Sequence, residues 1–272
     1  MMRILGGWIA LTPELDAKLL FGRHVWDNAQ HADLWGKRLP ELRAPAQQSE
    51  PANQRFVSFM DRLETAERPG QTVERIAGVY RVLKPHLITV YERHLAATNP
   101  VYEPPTRRIL LRCLDEERRH VVAGGIVLGR LTREPAAARR ATEWEALLMR
   151  ALGEAGGVTG DVEPPLVAPS GAMPDAAVVA QDLVTVPPPF DPAETEQDLL
   201  AAIGAHALEL KRLAGPFDRW WVVGLAKIGR QRVVKIRVSG PIGTSLLQVK
   251  WKPSDGGWEL ASADVLSPPS AD

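Results

Sequence analysis

Near the end of a long helical pattern, two metal-competent residue types fall three apart. The segment Leu114-Asp115-Glu116-Glu117-Arg118-Arg119-His120 contains Glu117-x-x-His120, and a carboxylate and an imidazole at that spacing point to the same side of a helix. Both lie on the apolar stripe. At 100° per residue, Glu117 sits about 20° from Leu110 and His120 about 20° from Cys113. Glu116 and Arg119 lie off the stripe and are expected in solvent. Inside a helical bundle, such a pair is the kind of group that coordinates a metal ion.

A second helix carries a similar face. Leu20, His24, Asp27, His31 and Leu34 recur at spacings of four, three, four and three. Three polar groups on a core-facing stripe each need a partner. On the next long pattern Glu92 points about 180° from Leu83 and is not favoured, whereas His94 aligns with Leu87. Glu67 lies about 20° from Met60 and reaches inward if its helix extends that far. The expected metal set is therefore Glu117, His120, His31 and Asp27 as ligands, with His24 and His94 in or beside them. Imidazoles mixed with carboxylates suit iron, manganese or zinc, and iron or manganese is the expected cofactor. The alternative is a polar core in which Asp27, His24, His31, Glu117 and His120 satisfy one another without metal. His86 and His206 are expected at the surface or at helix ends, and Cys113 as a small core residue.

These groups must be held by long helices. Thr12-Pro13-Glu14 is a helix start, and the pattern runs to about Leu39 before Pro40. A shorter helix is predicted from Gln54 to Ala66. A long one follows from Gln71 to Ala97, with Pro85 expected to kink it. Thr106 to Leu131 and Glu134 to Leu152 complete the set, and short Pro- and Gly-rich turns make them antiparallel neighbours in a bundle. From Gly153 to Pro192 the chain is rich in Pro and Gly and reads as a linker, touching the bundle through Leu183 and Val184. Ala193 to Leu213 is one further helix. Beyond it, Trp220–Ala226, Arg232–Val238, Leu247–Lys252 and Trp258–Val265 are strand-like. Val234, Ile236 and Val238 alternate there with Lys235 and Arg237. The expected organisation is a helical bundle over 1–152, a linker over 153–192 and a small α+β domain over 193–272 with an antiparallel sheet covered by a helix on one face.

Composition sets outer limits. The 272 residues carry 33 basic and 33 acidic side chains, so no global charge draws the chain to nucleic acid or a membrane surface. Charge is unevenly spread: 23 basic and 18 acidic side chains lie in 1–152, 2 and 10 in 153–215, and 8 and 5 in 216–272. Such a shift marks a change of module. A single cysteine forbids an intramolecular disulfide and fits a reducing compartment. No stretch approaches 18 apolar residues and no signal-peptide pattern opens the chain, so a soluble, cytoplasmic protein is expected. There is no Gly-x-Gly-x-x-Gly, no phosphate-binding Gly-x-x-x-x-Gly-Lys, no Gly-x-Ser-x-Gly and no cysteine set for zinc. Arg107-Arg108 and Arg118-Arg119 lack interleaved aromatics, so nucleic-acid binding is not expected.

With its long helices, Glu117-x-x-His120, and Asn28-x-x-His31 where a second Glu-x-x-His is usual, the region 12–132 resembles the ferritin-like superfamily. That resemblance implies a four-helix bundle, here four to five helices, with two metals between helix pairs and with oxidase, hydroxylase or iron-storage activity. Glu117 and His120 carry over as ligands, and so does His31. Position 28 is Asn where the pattern has Glu, and no isolated Glu faces inward on the third helix, which implies a remodelled, His-rich centre or a lost one. The last 55 residues, through Val238-Ser239-Gly240-Pro241-x-Gly243 and Gly257-Trp258, faintly resemble small cystatin-like or cone-shaped α+β domains and the domain of a cytochrome-oxidase assembly family. In such modules the sheet is a binding or dimerisation surface, so a homodimer or protein partner is expected there. Two functions are expected in the alternative. One is a metal-binding, oxygen-dependent oxidoreductase. The other is a non-catalytic binding or scaffold protein whose bundle has lost its metals.

Overall fold

The computed structural model describes residues 1–44, 53–160, 171–183 and 187–266. It is mainly α-helical, with one antiparallel sheet near the C-terminus. Two compact units are distinct. One comprises Met1–Ala10, Asp16–Glu67 and Gln71–Val184; the other comprises Leu11–Leu15, Arg68–Gly70 and Thr185–Asp272.

The helical unit begins with α1 (Met2–Leu11), an element not expected from the sequence. It buries Ile4, Leu5 and Trp8, three apolar groups at helical spacing. α2 (Leu15–Glu41) follows, starting three residues after Thr12, because that threonine lies in the connection rather than at a cap. α3 (Gln54–Glu64) is capped by Asn53, whose side chain accepts from the N–H groups of Arg55 and Phe56. The helix expected over 71–97 is three consecutive pieces. These are α4 (Thr72–Ala77), a π-helical stretch Gly78–Leu83, and α5 (Lys84–Ala97). Pro85 cannot donate to the ladder, and the wider turn before it leaves Lys84 N–H bonded to Val79 O, five residues back. The extra residue in this turn rotates everything after it relative to an uninterrupted helix. α6 (Pro104–Leu131), α7 (Pro135–Glu154) and α8 (Ala176–Asp182) complete the unit. α8 lies against α6 within the region read as linker. Leu183 packs on the same core, while Val184 lies outside the described residues.

Side-chain pairs give the helix directions. His24 and Asp27 meet His120, and Arg38 meets Thr106, so α2 and α6 run antiparallel. Lys84 meets Glu117 while Arg107 reaches Leu95 O, so α5 and α6 are antiparallel as well. α2 and the 72–97 helix therefore run parallel. One glycine is demanded by this packing. A Cβ at Gly124 of α6 would come within 2.1 Å of the Tyr80 ring, so α6 and the π-helical stretch approach as closely as they do only because position 124 has no side chain.

In the second unit, α9 (Glu196–Ala205) and α10 (Ala207–Ala214) replace the single helix expected over 193–213, with His206 between them off helical geometry. A meander follows: β1 (Arg219–Ile228), β2 (Gln231–Ser239), β3 (Thr244–Ser254) and β4 (Gly257–Leu266), each antiparallel to the next. Ile236 pairs with Leu247 and Val234 with Val249. These residues, with Val238 and Trp251, pack on Leu199, Ile203 and Leu210 of the helices. The Trp251 indole N–H donates to Asp198 at 2.7 Å. The opposite face is not simply polar. Arg237 is buried there and pairs with Glu14, and it also donates to Gly70 O at 3.1 Å.

Candidate metal centre

Five polar residues singled out from the sequence converge inside the helical unit. From α2, His24 is buried and Asp27 half-buried; from α6, His120 is buried. One ligand atom from each of these three lies within 4.8 Å of the others. The His120 Nε2 and Asp27 Oδ2 atoms are 2.9 Å apart, and the two imidazole rings lie 3.7 Å apart between centroids. Tyr80, from the π-helical stretch, brings its hydroxyl to 2.6 Å from His24 Nδ1. On the other side of His120 lies Glu117, with His31 Nδ1 3.7 Å from its Oε1. His31 donates from Nε2 to Glu116 at 2.6 Å. Glu116 is thus held between α2 and Arg112 rather than left in solvent.

At the centre is a residue the sequence reading missed. Lys84, the first residue of α5, is fully buried. Its ammonium donates to Glu117 Oε2 at 2.6 Å and to His120 Nδ1 at 2.9 Å. An ammonium has donors only, so His120 Nδ1 accepts and Nε2 carries the hydrogen that points to Asp27. The result is a continuous chain Glu117–Lys84–His120–Asp27. A signal for Lys84 existed: apart from Arg81, it is the only charged residue in the otherwise apolar and neutral stretch from Ile76 to Tyr91. At 100° per residue Lys84 also falls within about 20° of Val73 and Ala77, both buried in the core, so its phase was a second signal.

The charges respond accordingly. Burial by itself pushes the Glu117 carboxyl up, but the Lys84 ammonium, with His120 beside it, outweighs that and holds Glu117 down to about 2. For Asp27, too, burial acts upward and is outweighed by His120, so the carboxyl lies below its ordinary range. His24 is pushed well below 6.5 by burial first, and then by His120, Lys84 and Arg23. It is therefore a neutral imidazole, the form that binds metals.

The other sequence-marked residues lie elsewhere. His94 is exposed, its ring 6.3 Å from that of Trp35; it does not join the cluster. The reference residue Leu87 is only half-buried, and the buried side of α5 runs through Lys84 and Ile88. Glu92 accepts from Arg118 at 2.7 Å and from the Gly171 N–H at 3.1 Å. α3 stops at Glu64 and leaves Glu67 exposed. Asn28 donates to His24 O, along its own helix. His86, expected at the surface, is 1% exposed and accepts from the Val158 N–H at 3.0 Å. Cys113 is buried, and burial reinforced by Glu117 and Glu116 pushes its thiol up to about 12, so it is no nucleophile at neutral pH.

No helix among the described residues is long and apolar enough to cross a membrane. Compared with protein-family models, with curated proteins and with solved structures, the chain matches none.

Proposed function

We propose that the helical unit is a ferritin-like bundle that binds one transition-metal ion, iron(II) or manganese(II), through His24, Asp27 and His120, and uses it for oxygen-dependent oxidation. The observation that carries this reading is the convergence of two imidazoles and one carboxylate within 4.8 Å in the helical interior. Two histidines and one carboxylate with positions left open are the ligand set of non-haem iron oxygenases. The helix directions agree with it. Glu117-x-x-His120 on α6 faces the Asn28-x-x-His31 helix, as paired motifs do in carboxylate-bridged bundles.

The donor set fits an ion. Tyr80 engages Nδ1 of His24 and so leaves Nε2 as the nitrogen for coordination; a hydrogen-bonded second nitrogen also fixes ring orientation. Asp27 supplies negative charge, and its low proton affinity keeps it ionised at neutral pH. When bound, the ion supplies Lewis acidity and one-electron chemistry that none of these side chains possesses.

Anaerobic calorimetric titration with Fe(II), Mn(II) and Co(II) tests the reading. One ion per chain is expected, with affinity lowered by more than about 100-fold in His120→Ala and Asp27→Asn, since even residues that only orient ligands are worth 10–100-fold. Less than about a tenth of an ion per chain, unchanged in the variants, rejects it.

Lys84 favours a second reading. Its two hydrogen bonds satisfy Glu117 and His120 without any ion, as expected of a metal-free bundle serving as a binding or scaffold protein. The same titration separates the two. In either case the C-terminal unit is assigned as the partner-binding or dimerisation module, which light scattering of the whole chain tests.

A further inference from the structure

We propose that Lys84 takes the place of a second metal ion: its ammonium is a tethered cation that occupies the position between Glu117 and His120, where a divalent ion would otherwise sit. One part of this, that the wild-type centre holds one ion rather than two, rests on the metal-binding reading above; the substitution of cation for cation does not.

The argument is one of charge and donor type. Lysine is almost never fully buried unless paired, yet Lys84 and Glu117 are both about as buried as any residue in the chain. The two acceptors of the Lys84 nitrogen are of kinds that also bind metals. Glu117 Oε2 is at 2.6 Å and His120 Nδ1 at 2.9 Å, and His31 lies on the far oxygen of the same carboxylate. Those separations suit an N–H donor; metal–ligand bonds are shorter, about 2.0–2.2 Å. In carboxylate-bridged bundles the helices without Glu-x-x-His contribute a glutamate. The 72–97 helix is such a helix, and it presents a lysine. A cation supplied by the chain closes this half of the centre, and the Glu117 charge is neutralised without an ion. Lys84 is also unsuited to nucleophilic chemistry, because it donates to both neighbours as an ammonium.

Removing the tethered charge therefore creates a vacancy with ligands already in place. The test compares wild type, Lys84→Ala and Lys84→Ala/Glu117→Gln. Bound Mn(II) is counted by the loss of the free-ion electron paramagnetic resonance signal, and melting temperature is read in chelator and with Mn(II) or Co(II). Lys84→Ala is expected to bind one more ion per chain than wild type. It melts below wild type in chelator, and the ion restores most of that loss. Glu117→Gln in the same chain abolishes both the gain and the restoration. A Lys84→Ala protein that gains no ion overturns the proposal, as does a melting temperature that ignores the ion, which is what a purely structural ion pair predicts. Two ions in wild type also overturn it. A wild-type count of zero with a gain of one in Lys84→Ala supports it while removing the metal reading of His24, Asp27 and His120. If Lys84→Ala does not fold in chelator, refolding from denaturant reads the same property. Folded protein only in the presence of the ion supports the proposal, and none under either condition overturns it.

Discussion

His24 and Glu117 make the stability of the helical unit depend on pH in two steps. His24 stays neutral when folded because burial lowers its proton affinity well below 6.5. The unfolded chain takes up that proton, so stability falls as pH drops below about 6.5, by up to roughly 1.4 kcal/mol per unit. Glu117 is held down to about 2 against an ordinary 4.5. Its contribution is complete above the ordinary value and is lost as pH falls from there toward 2, on the order of 3 kcal/mol in all. Urea unfolding in chelator at about pH 7.5 and 5.5 should give a lower stability at the acid value, and His24→Gln should flatten that difference. Equal stabilities in wild type would mean that His24 is protonated in the fold. At this scale the residue types were readable from the sequence: Glu117, His120, His31, Asp27 and His24 are side by side in space. Lys84 was readable only as an isolated charge of inward phase in an apolar stretch; its place among these groups was not, because a lysine is assigned to solvent unless its partners are known.

The π-helical stretch and α6 form the element pair on which this arrangement depends. Tyr80 reaches His24 only because α6 presents Gly124 beneath its ring, where an added Cβ would lie 2.1 Å from the ring. Gly124→Ala should cost about 1–3 kcal/mol, the usual range for overpacking, and most of that loss should vanish in a Tyr80→Ala background. Gly125→Ala, on the open side of the same helix with nothing within 4 Å of the new Cβ, should instead stabilise by about 1 kcal/mol from helix propensity alone. Urea unfolding of the four variants checks both statements, and equal effects at the two glycines would contradict the close approach. The long helices themselves were legible as apolar repeats bounded by Pro, Gly and Asn. Their phase after residue 78 was legible only in part. A π turn carries no strong local signature, and within α5 the buried side runs through Lys84 and Ile88, so His94, which shares the phase of half-buried Leu87, is left in solvent.

At the scale of the whole chain, the C-terminal unit includes residues from far upstream. Arg237 on β2 is 4% exposed and pairs with Glu14, and it donates to the carbonyl of Gly70. Glu14→Gln leaves a buried guanidinium short of its counter-charge and should destabilise this unit by about 3–5 kcal/mol, seen as faster hydrogen exchange of the β2 and β3 amides. Exchange unchanged from wild type would show that the backbone acceptors suffice. The β-meander was legible because alternation and glycine-containing turns are local signals. So were the helical class of the first half and the metal-competent types on its inward stripes, since these depend on periodicity within one element. Only the tertiary structure decided which inward groups meet, that Lys84 stands among them as their counter-ion, and that Glu14 serves a sheet more than 200 residues later. The physical reason is common to all three. Hydrophobic periodicity specifies the face a residue occupies, whereas pairing of buried charges depends on the relative rotation and placement of separate segments, which no single stretch of sequence encodes.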